Sequence, residues 1–190
     1  MDRREMLQLL ALSPLPALGI SPASVERAAR HAREAAGRRS AYAPVFFTAA
    51  EWRTVGVLAD LIVPRDERSG SATDAGVPEF IDFVMTEYPS HQVPVRGGLA
   101  WLERECRGRY GKGFADCAAA DQTALLDAIA YPRQAAAEVS QGVAFFNRFR
   151  DLVLSGFWSS KVGVEDLGYL GNRFVAEWKG CPVEARERAG

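Results

Sequence analysis

Residues whose side chains could support catalysis or bind a metal are few in this sequence, and they are not grouped. His31 and His91 are its only histidines. His31 lies in the N-terminal forty residues, and His91 lies in a loop over residues 88–92, where we expect it to be exposed and without a chemical role. A Ser/His/acid triad would therefore depend on His91 alone, and a His-rich metal site is nearly excluded.

The cysteines show no cofactor-binding pattern. Cys106, Cys117 and Cys181 lack CxxC spacing and are too few to bind an iron–sulfur cluster alone. The sequence also has no CxxCH haem site, no P-loop and no GxGxxG after a strand. We therefore predict no catalytic, cofactor-binding or metal-binding residue in this chain. In an exported protein one disulfide could form; three single pairs are available, and the sequence does not choose among them. For Cys106, on an apolar helix face, a buried free thiol is the simpler interpretation.

The loop over residues 65–76 is rich in acidic and hydroxyl side chains. It is weakly similar to a calcium-binding loop, but Arg68 occupies the third position and Gly70 comes one place early. We expect instead that its Asp and Ser side chains bond to the loop's own backbone.

The N-terminal forty residues differ in charge from the rest of the chain. They contain seven Arg against four acidic residues, although the whole chain has a net charge of −1. Arg3 and Arg4 precede a short apolar run interrupted by Pro14 and Pro16, which is the arrangement of a twin-arginine export signal. The alternative is an ordinary amphipathic helix with a chance Arg pair. We expect residues 24–40 to form a short exposed helix or a linker.

Composition and spacing predict a helical domain after this segment. The chain is 48% hydrophobic and 10% aromatic, which excludes a largely disordered protein, and its charge gives no basic field for nucleic acid. Thr48 and Glu51 form a capping-box pattern, with Phe47 stapled to Trp52, and this helix should stop before Pro64. Further helices are predicted with Pro78 as a first residue and over residues 95–110, 118–130 and 134–158. We predict an all-α fold, a single compact domain of five to six helices with long loops over residues 41–190, preceded by an export signal and linker over residues 1–40.

Residues 157–172 combine bulky aromatics with glycines and show little helical period. This segment is either a loop packed over the helices or a surface that docks another protein. Trp158, Tyr169 and Asn172 are the candidate interface residues.

Several motifs together resemble the gluconate 2-dehydrogenase subunit 3 family. Besides the twin-arginine leader, they are FTxxExxTV at 47–55, LADLIVP at 58–64, SGSAxxAGVPEFID at 69–82, DLGYxGN at 166–172 and WxGCP at 178–182. The motifs on either side of Gly70 are fairly specific, whereas the helices between the early and late motifs are not.

The resemblance implies a non-catalytic small subunit of an exported sugar dehydrogenase, the group acting on gluconate, fructose, glucose or glucosides at carbon 3. Its expected partner is a large flavoprotein of the glucose–methanol–choline type that holds FAD and, in some cases, an iron–sulfur cluster. A cytochrome subunit with haem c is a further expected partner. The small subunit would stabilise the flavoprotein and escort it to the periplasm. The alternatives are a free-standing periplasmic helical binding module and an enzyme in its own right. Nothing in the sequence indicates which sugar is used.

Overall fold

The protein is all-helical over residues 19–37 and 42–168, the part of the chain that the computed structural model describes. These residues form seven α-helices and three 3-10 helices, with no β-strand among them. The α-helices are α1 Pro22–Gly37, α2 Ala49–Ile62, α3 Val77–Glu87, α4 Gln92–Tyr110, α5 Ala119–Ala130, α6 Ser140–Ser159 and α7 Lys161–Asp166. The 3-10 helices are Pro89–His91, Phe114–Asp116 and Ala137–Val139.

Helix α6 is the centre of the fold. It contacts each of the other six described α-helices, and its apolar face is buried throughout its length. Where α6 meets α4, glycines allow a close approach: Gly98 lies against the ring of Phe145, and Gly142 lies against the ring of Trp101. A Cβ atom at either glycine would overlap the facing ring, so these two positions set the spacing of the helix pair.

The start of α2 agrees with the prediction in detail. Thr48 Oγ1 accepts a hydrogen bond from the Glu51 amide at 3.3 Å, and Glu51 Oε2 accepts one from the Thr48 amide at 2.8 Å. The rings of Phe47 and Trp52 lie 6.4 Å apart, as the predicted hydrophobic staple requires. The helix ends at Ile62, before Pro64.

The first helix is a difference from the prediction. Residues 24–40 were expected to be an exposed helix or a linker, but α1 buries Ala28, Ala29 and Ala32 against α3 and α6. Small side chains permit this close packing, and Ser24 adds a hydrogen bond of 2.6 Å from the Tyr88 hydroxyl. The segment that we expected to be an exposed helix or a linker is therefore a helix whose alanines form a narrow packing face.

Helix α6 begins later than predicted. The sequence pattern placed its start near residue 134, but residues 131–136 form a turn in which the amides of Gln134 and Ala135 both donate to the Tyr131 carbonyl. A 3-10 helix follows before α6 begins at Ser140. Pro132 disfavours a helical conformation at Tyr131, which explains why the turn separates the two helices.

The described part of residues 157–172, interpreted as a packed loop or a docking surface, is mostly helical. Helix α6 continues through Gly156 to Ser159, one residue beyond its predicted end. The ring of Phe80 occupies the space beside the Gly156 Cα and leaves no room for a larger residue. Phe157 is fully buried. Ser160 then caps α7 by accepting a hydrogen bond from the Gly163 amide at 3.0 Å. Gly156 thus permits close packing inside a helix and does not mark a loop.

Candidate functional site

Only one of the three predicted interface residues lies in the described part of the chain. Trp158, in the last turn of α6, is half-buried, and its ring meets the ring of Phe157 edge-on at 5.0 Å. Its indole N–H is buried and has no hydrogen-bond partner among residues 19–37 and 42–168. Tyr169 and Asn172 lie outside the described residues, as do Arg3 and Arg4 of the expected export signal.

The expectation of an exposed His91 is wrong. The residue is 4% exposed, in the 3-10 helix before α4, and Arg148 Nη1 lies 3.2 Å from its Nδ1. Because a guanidinium only donates hydrogen bonds, Nδ1 must be the acceptor. His91 therefore ties the start of α4 to α6 and does not face solvent.

His31 belongs to a buried cluster between α1 and α3. Its ring packs against Phe83 at 4.9 Å and against Tyr42 at 6.0 Å. Two polar atoms of this cluster, His31 Nδ1 and Glu79 Oε2, are buried, and neither has a hydrogen-bond partner in the part of the chain that the structure describes. Burial raises the pKa of Glu79 above its usual range, and the nearby charge of Asp82 adds to the rise, while His31 opposes it.

Asp82 is the polar centre of this region and is completely buried. Its Oδ2 accepts hydrogen bonds from the Tyr42 hydroxyl at 2.9 Å and the Val45 amide at 2.8 Å. Its Oδ1 accepts from the amides of Phe46 at 3.0 Å and Phe47 at 3.2 Å. Residues 42–47, which we call the aromatic arm, are thereby fixed to α3. Burial and the Asp82 carboxylate together raise the pKa of Tyr42 well above its usual range.

The aromatic arm presents an apolar surface to solvent. Val45 is 77% exposed although its amide is held by Asp82, and Val93 at the start of α4 is 81% exposed. The two valines flank one contact: Arg96, one turn after Val93, places its guanidinium 4.2 Å from the centre of the Phe46 ring and donates to the Phe46 carbonyl at 2.9 Å. We call Val45, Phe46 and Val93 the valine patch. Apolar side chains exposed together on one surface mark a candidate protein-docking site.

The loop over residues 65–76 satisfies its own backbone, as expected. Asp66 Oδ1 accepts from the amides of Arg68 and Ser69, and Asp74 Oδ2 accepts from the amide of Ser71 at 2.7 Å. The hydrogen bond from the Ser71 amide, followed by that from the Ser71 hydroxyl and the charge of Arg65, lowers the pKa of Asp74. Among residues 19–37 and 42–168, no group of three or more His, Cys, Asp or Glu side chains is placed to hold a metal ion.

Two of the three cysteines are described, and both carry free thiols. Cys106 on α4 and Cys117 before α5 are buried, whereas Cys181 lies outside the described residues. The prediction that Cys106 faces the core is confirmed.

The surface grooves are shallow and structurally ordinary. The groove between α2 and α4 has a volume of about 370 Å³, and its charges are paired, with Arg53 bonded to Asp116 at 2.6 Å and the Thr54 hydroxyl to Glu103 at 3.0 Å. A groove of about 290 Å³ between α2, α5 and α6 is mostly apolar. In the described residues, no helix combines the length and apolar character needed to cross a bilayer.

The comparison with known families identifies the class of protein. Residues 49–177 match the sequence profile of gluconate 2-dehydrogenase subunit 3, more than half of the chain. The chain belongs to the gluconate 2-dehydrogenase subunit 3 family. Because the family is named for one subunit of a dehydrogenase complex, membership implies partner subunits. No curated protein sequence and no solved structure matches the chain.

Sequence reasoning missed the residues that build the valine patch. Val45 and Val93 carried no motif, and their exposure depends on how α3 and α4 place them. The sequence drew attention to Asp82, because this residue ends the motif at 69–82. Its role was not predictable, because its hydrogen-bond partners lie at least 35 residues away.

Proposed function

We propose that this chain is the non-catalytic small subunit of an exported FAD-dependent sugar dehydrogenase. It stabilises a large flavoprotein of the glucose–methanol–choline type and escorts it to the periplasm by the twin-arginine pathway. The family match over residues 49–177 is the observation that carries the proposal. We assign FAD, and any iron–sulfur cluster, to the large subunit, and haem c to a cytochrome subunit where one is present.

The valine patch supports a role in docking. Ordering flexible groups opposes association, so an apolar surface that is already fixed binds at a lower entropic cost. Asp82 holds the backbone of the aromatic arm through hydrogen bonds from its amides, and the Arg96 guanidinium holds the Phe46 ring. We propose the valine patch as one contact with the large subunit.

The end of α6 is the second proposed contact, with Trp158, Tyr169 and Asn172. Trp158 offers a half-buried ring whose indole N–H lacks a partner within the described residues. A docked partner would cover the exposed part of this ring.

Co-purification tests the valine patch. The tagged chain is co-expressed with a flavoprotein of the glucose–methanol–choline type from the same organism, and the flavoprotein recovered per tagged chain is measured by its FAD absorbance. Val45→Ser with Val93→Ser should lower recovery at least tenfold, because truncated interface anchors commonly cost about 2 kcal/mol or more. Tyr131→Ser, at another exposed apolar residue (38% exposed), is the matched control and should not change recovery. Recovery equal to the wild type would exclude the valine patch.

Export is tested by replacing the paired guanidinium groups. Arg3→Lys with Arg4→Lys preserves the charge but removes the recognition pattern. Both this chain and the flavoprotein should then stay in the cytoplasm, as fractionation and dye-coupled sugar oxidation would show. A flavoprotein that still reaches the periplasm would refute the escort role.

The visible spectrum of the purified chain tests the non-catalytic role. Above the aromatic band it should be flat. A stoichiometric flavin or haem band would favour the enzyme alternative, and a soluble chain that never retains a flavoprotein would favour the free-standing binding module.

A further inference from the structure

The connection between α4 and α5 brings two cysteines together. Cys106 lies one turn before the end of α4, and Cys117 directly follows the 3-10 helix Phe114–Asp116. That 3-10 helix packs back onto α4 and α2, so the chain reverses direction between the cysteines. Both side chains are buried, Cys106 completely and Cys117 with 9% exposure.

The 3-10 helix packed on α4 places both buried cysteines at one connection. Burial raises the pKa of Cys106 to about 12, and an interaction with the Cys117 thiol is the next largest cause of the rise. The Cys117 Sγ also lies 3.9 Å from the Lys112 carbonyl oxygen, inside the same connection. Of the three pairs that the cysteine count allows, this is the one whose two members both lie in the described residues.

The backbone around the pair is held in place. Gly111 ends α4 with a φ of +72°, a conformation that favours glycine, and directs the chain out of the helix. The Phe114 carbonyl accepts hydrogen bonds from the Gln122 amide side chain at 2.8 Å and from the Cys117 amide at 3.2 Å. The Phe114 ring is fully buried. The hydrogen bonds to the Phe114 carbonyl therefore hold the backbone of Cys117 in the connection that packs on α4. We expect the disulfide to form without a large movement of this backbone.

We propose that Cys106 and Cys117 are an oxidation site that forms an intramolecular disulfide and locks the connection between α4 and α5. In cells the oxidant is a protein disulfide of the export compartment, so occurrence there rests on the proposed export. The Cys117 thiolate attacks a sulfur of that disulfide, which breaks its S–S bond, forms a mixed disulfide on Cys117 and releases one thiol. The Cys106 thiol then loses its proton and attacks Cys117 Sγ, which forms the Cys106–Cys117 bond, breaks the mixed disulfide and releases the second thiol. The chain is oxidised by two electrons, and the external disulfide is reduced to two thiols.

Oxidation of the purified full chain tests the pairing. Cys181→Ser removes the third thiol, and the protein is incubated with oxidised glutathione, denatured and treated with N-ethylmaleimide. We expect no alkylation, a mass 2 Da below that of the reduced protein, and one cross-linked peptide joining residues 106 and 117. Adding Cys106→Ser or Cys117→Ser should give a glutathione adduct on the remaining cysteine in its place. Two alkylated thiols, or a glutathione adduct on each cysteine of the Cys181→Ser protein, would overturn the proposal.

Thermal unfolding tests whether the native geometry favours the bond. Closing a loop of this size restricts the unfolded chain, and we expect the oxidised Cys181→Ser protein to melt about 5 °C above its reduced form. A lower melting temperature on oxidation would show that the disulfide distorts the folded state. It would overturn the claim that the fold places the two cysteines in position to form the bond.

Cell samples separate this inference from the export proposal. Thiols trapped by acid quenching and alkylation should be absent at residues 106 and 117 in the periplasmic fraction, and present in the Arg3→Lys, Arg4→Lys variant. If the purified protein oxidises while the cellular protein remains reduced, export fails and the pairing stands. If the purified protein does not oxidise, the pairing fails whatever the location of the chain.

Discussion

Asp82 and Asp74 perform the same task in two different regions of the molecule. Each carboxylate accepts hydrogen bonds from backbone amides and thereby fixes a segment without regular structure. Asp82 is completely buried and holds the aromatic arm, 35 to 40 residues away in sequence. Asp74 has a side chain that is 35% exposed and bonds to Ser71, three residues away.

The difference between them shows how distance in sequence and burial together determine the importance of a carboxylate. Water can replace Asp74 at the Ser71 amide, because the loop is at the surface. Water has no access to Asp82, so losing that carboxylate would leave buried donors unpaired. The fixed backbone of Val45 also depends on Asp82, which connects this buried residue to the proposed docking surface.

Asp82→Ala should produce the largest effect. It removes the acceptor of four hydrogen bonds, and leaving several buried donors unsatisfied should lower the free energy of unfolding by about 3–5 kcal/mol. Urea unfolding followed by circular dichroism measures the loss. Flavoprotein recovery by the remaining folded protein should also fall, since the valine patch is no longer held.

Asp82→Asn is the matched control for shape. The amide oxygen can still accept from one pair of donors, but its NH₂ group faces the other pair, so the loss of stability should be intermediate. Equal stability of the aspartate and asparagine proteins would show that the charge of Asp82 contributes nothing to the arm.

Asp74→Ala should have a smaller effect, on the order of 1 kcal/mol. The ion pair with Arg65, at 2.7 Å, is too exposed to add much. The pKa of Asp74 is lowered below its ordinary value of 3.8. Its contribution is therefore fully present above that value and is lost as the pH falls through the lowered pKa of the folded state. The difference in melting temperature between the two proteins should shrink at pH 3 relative to pH 7. A constant difference would assign the effect to loop geometry and not to the carboxylate charge.

The sequence was sufficient to predict the features that depend on residues close together in the chain. The all-helical class, the capping box of α2, the stop at Pro64 and the buried face of α3 follow from residues within a few positions of one another, and all are confirmed. The exposure of His91 was predicted wrongly and the helices within residues 157–166 were only partly foreseen, because both depend on partners far along the chain. Arg148 lies 57 residues after His91, and Phe80, which requires the glycine at position 156, lies 76 residues before it. The candidate site follows the same rule: Asp82 looked like an ordinary polar residue of a helix until α3 and the arm were placed together.

Glu79→Gln should have the smallest effect on stability, and it should stabilise the fold, whereas Asp82→Ala and Asp74→Ala should destabilise it. Glu79 lies one turn before Asp82 on α3, but its Oε2 is buried and finds no hydrogen-bond partner among the described residues. Burial raises its pKa above the ordinary value of 4.5, with a further rise from the negative charge of Asp82 and an opposing influence from His31. The folded state thus binds the Glu79 proton more tightly than the unfolded state does, and this favours folding at low pH. That contribution is lost as the pH rises through the raised pKa, and above it the buried carboxylate opposes folding.

Glutamine imitates the protonated form. Glu79→Gln should raise the melting temperature by about 1–3 °C at pH 7, and the gain should vanish below pH 4, where Glu79 itself is protonated. Glu138→Gln, which removes the same charge from an exposed site, is the control for net charge and should change little at either pH. If Glu79→Gln destabilised the fold at pH 7, an attraction between the Glu79 carboxylate and His31 would have to outweigh the burial. In that case α1 would be held to α3 by charge as well as by its alanine stripe, and His31→Ala should then cause a similar loss that is not additive with Glu79→Gln.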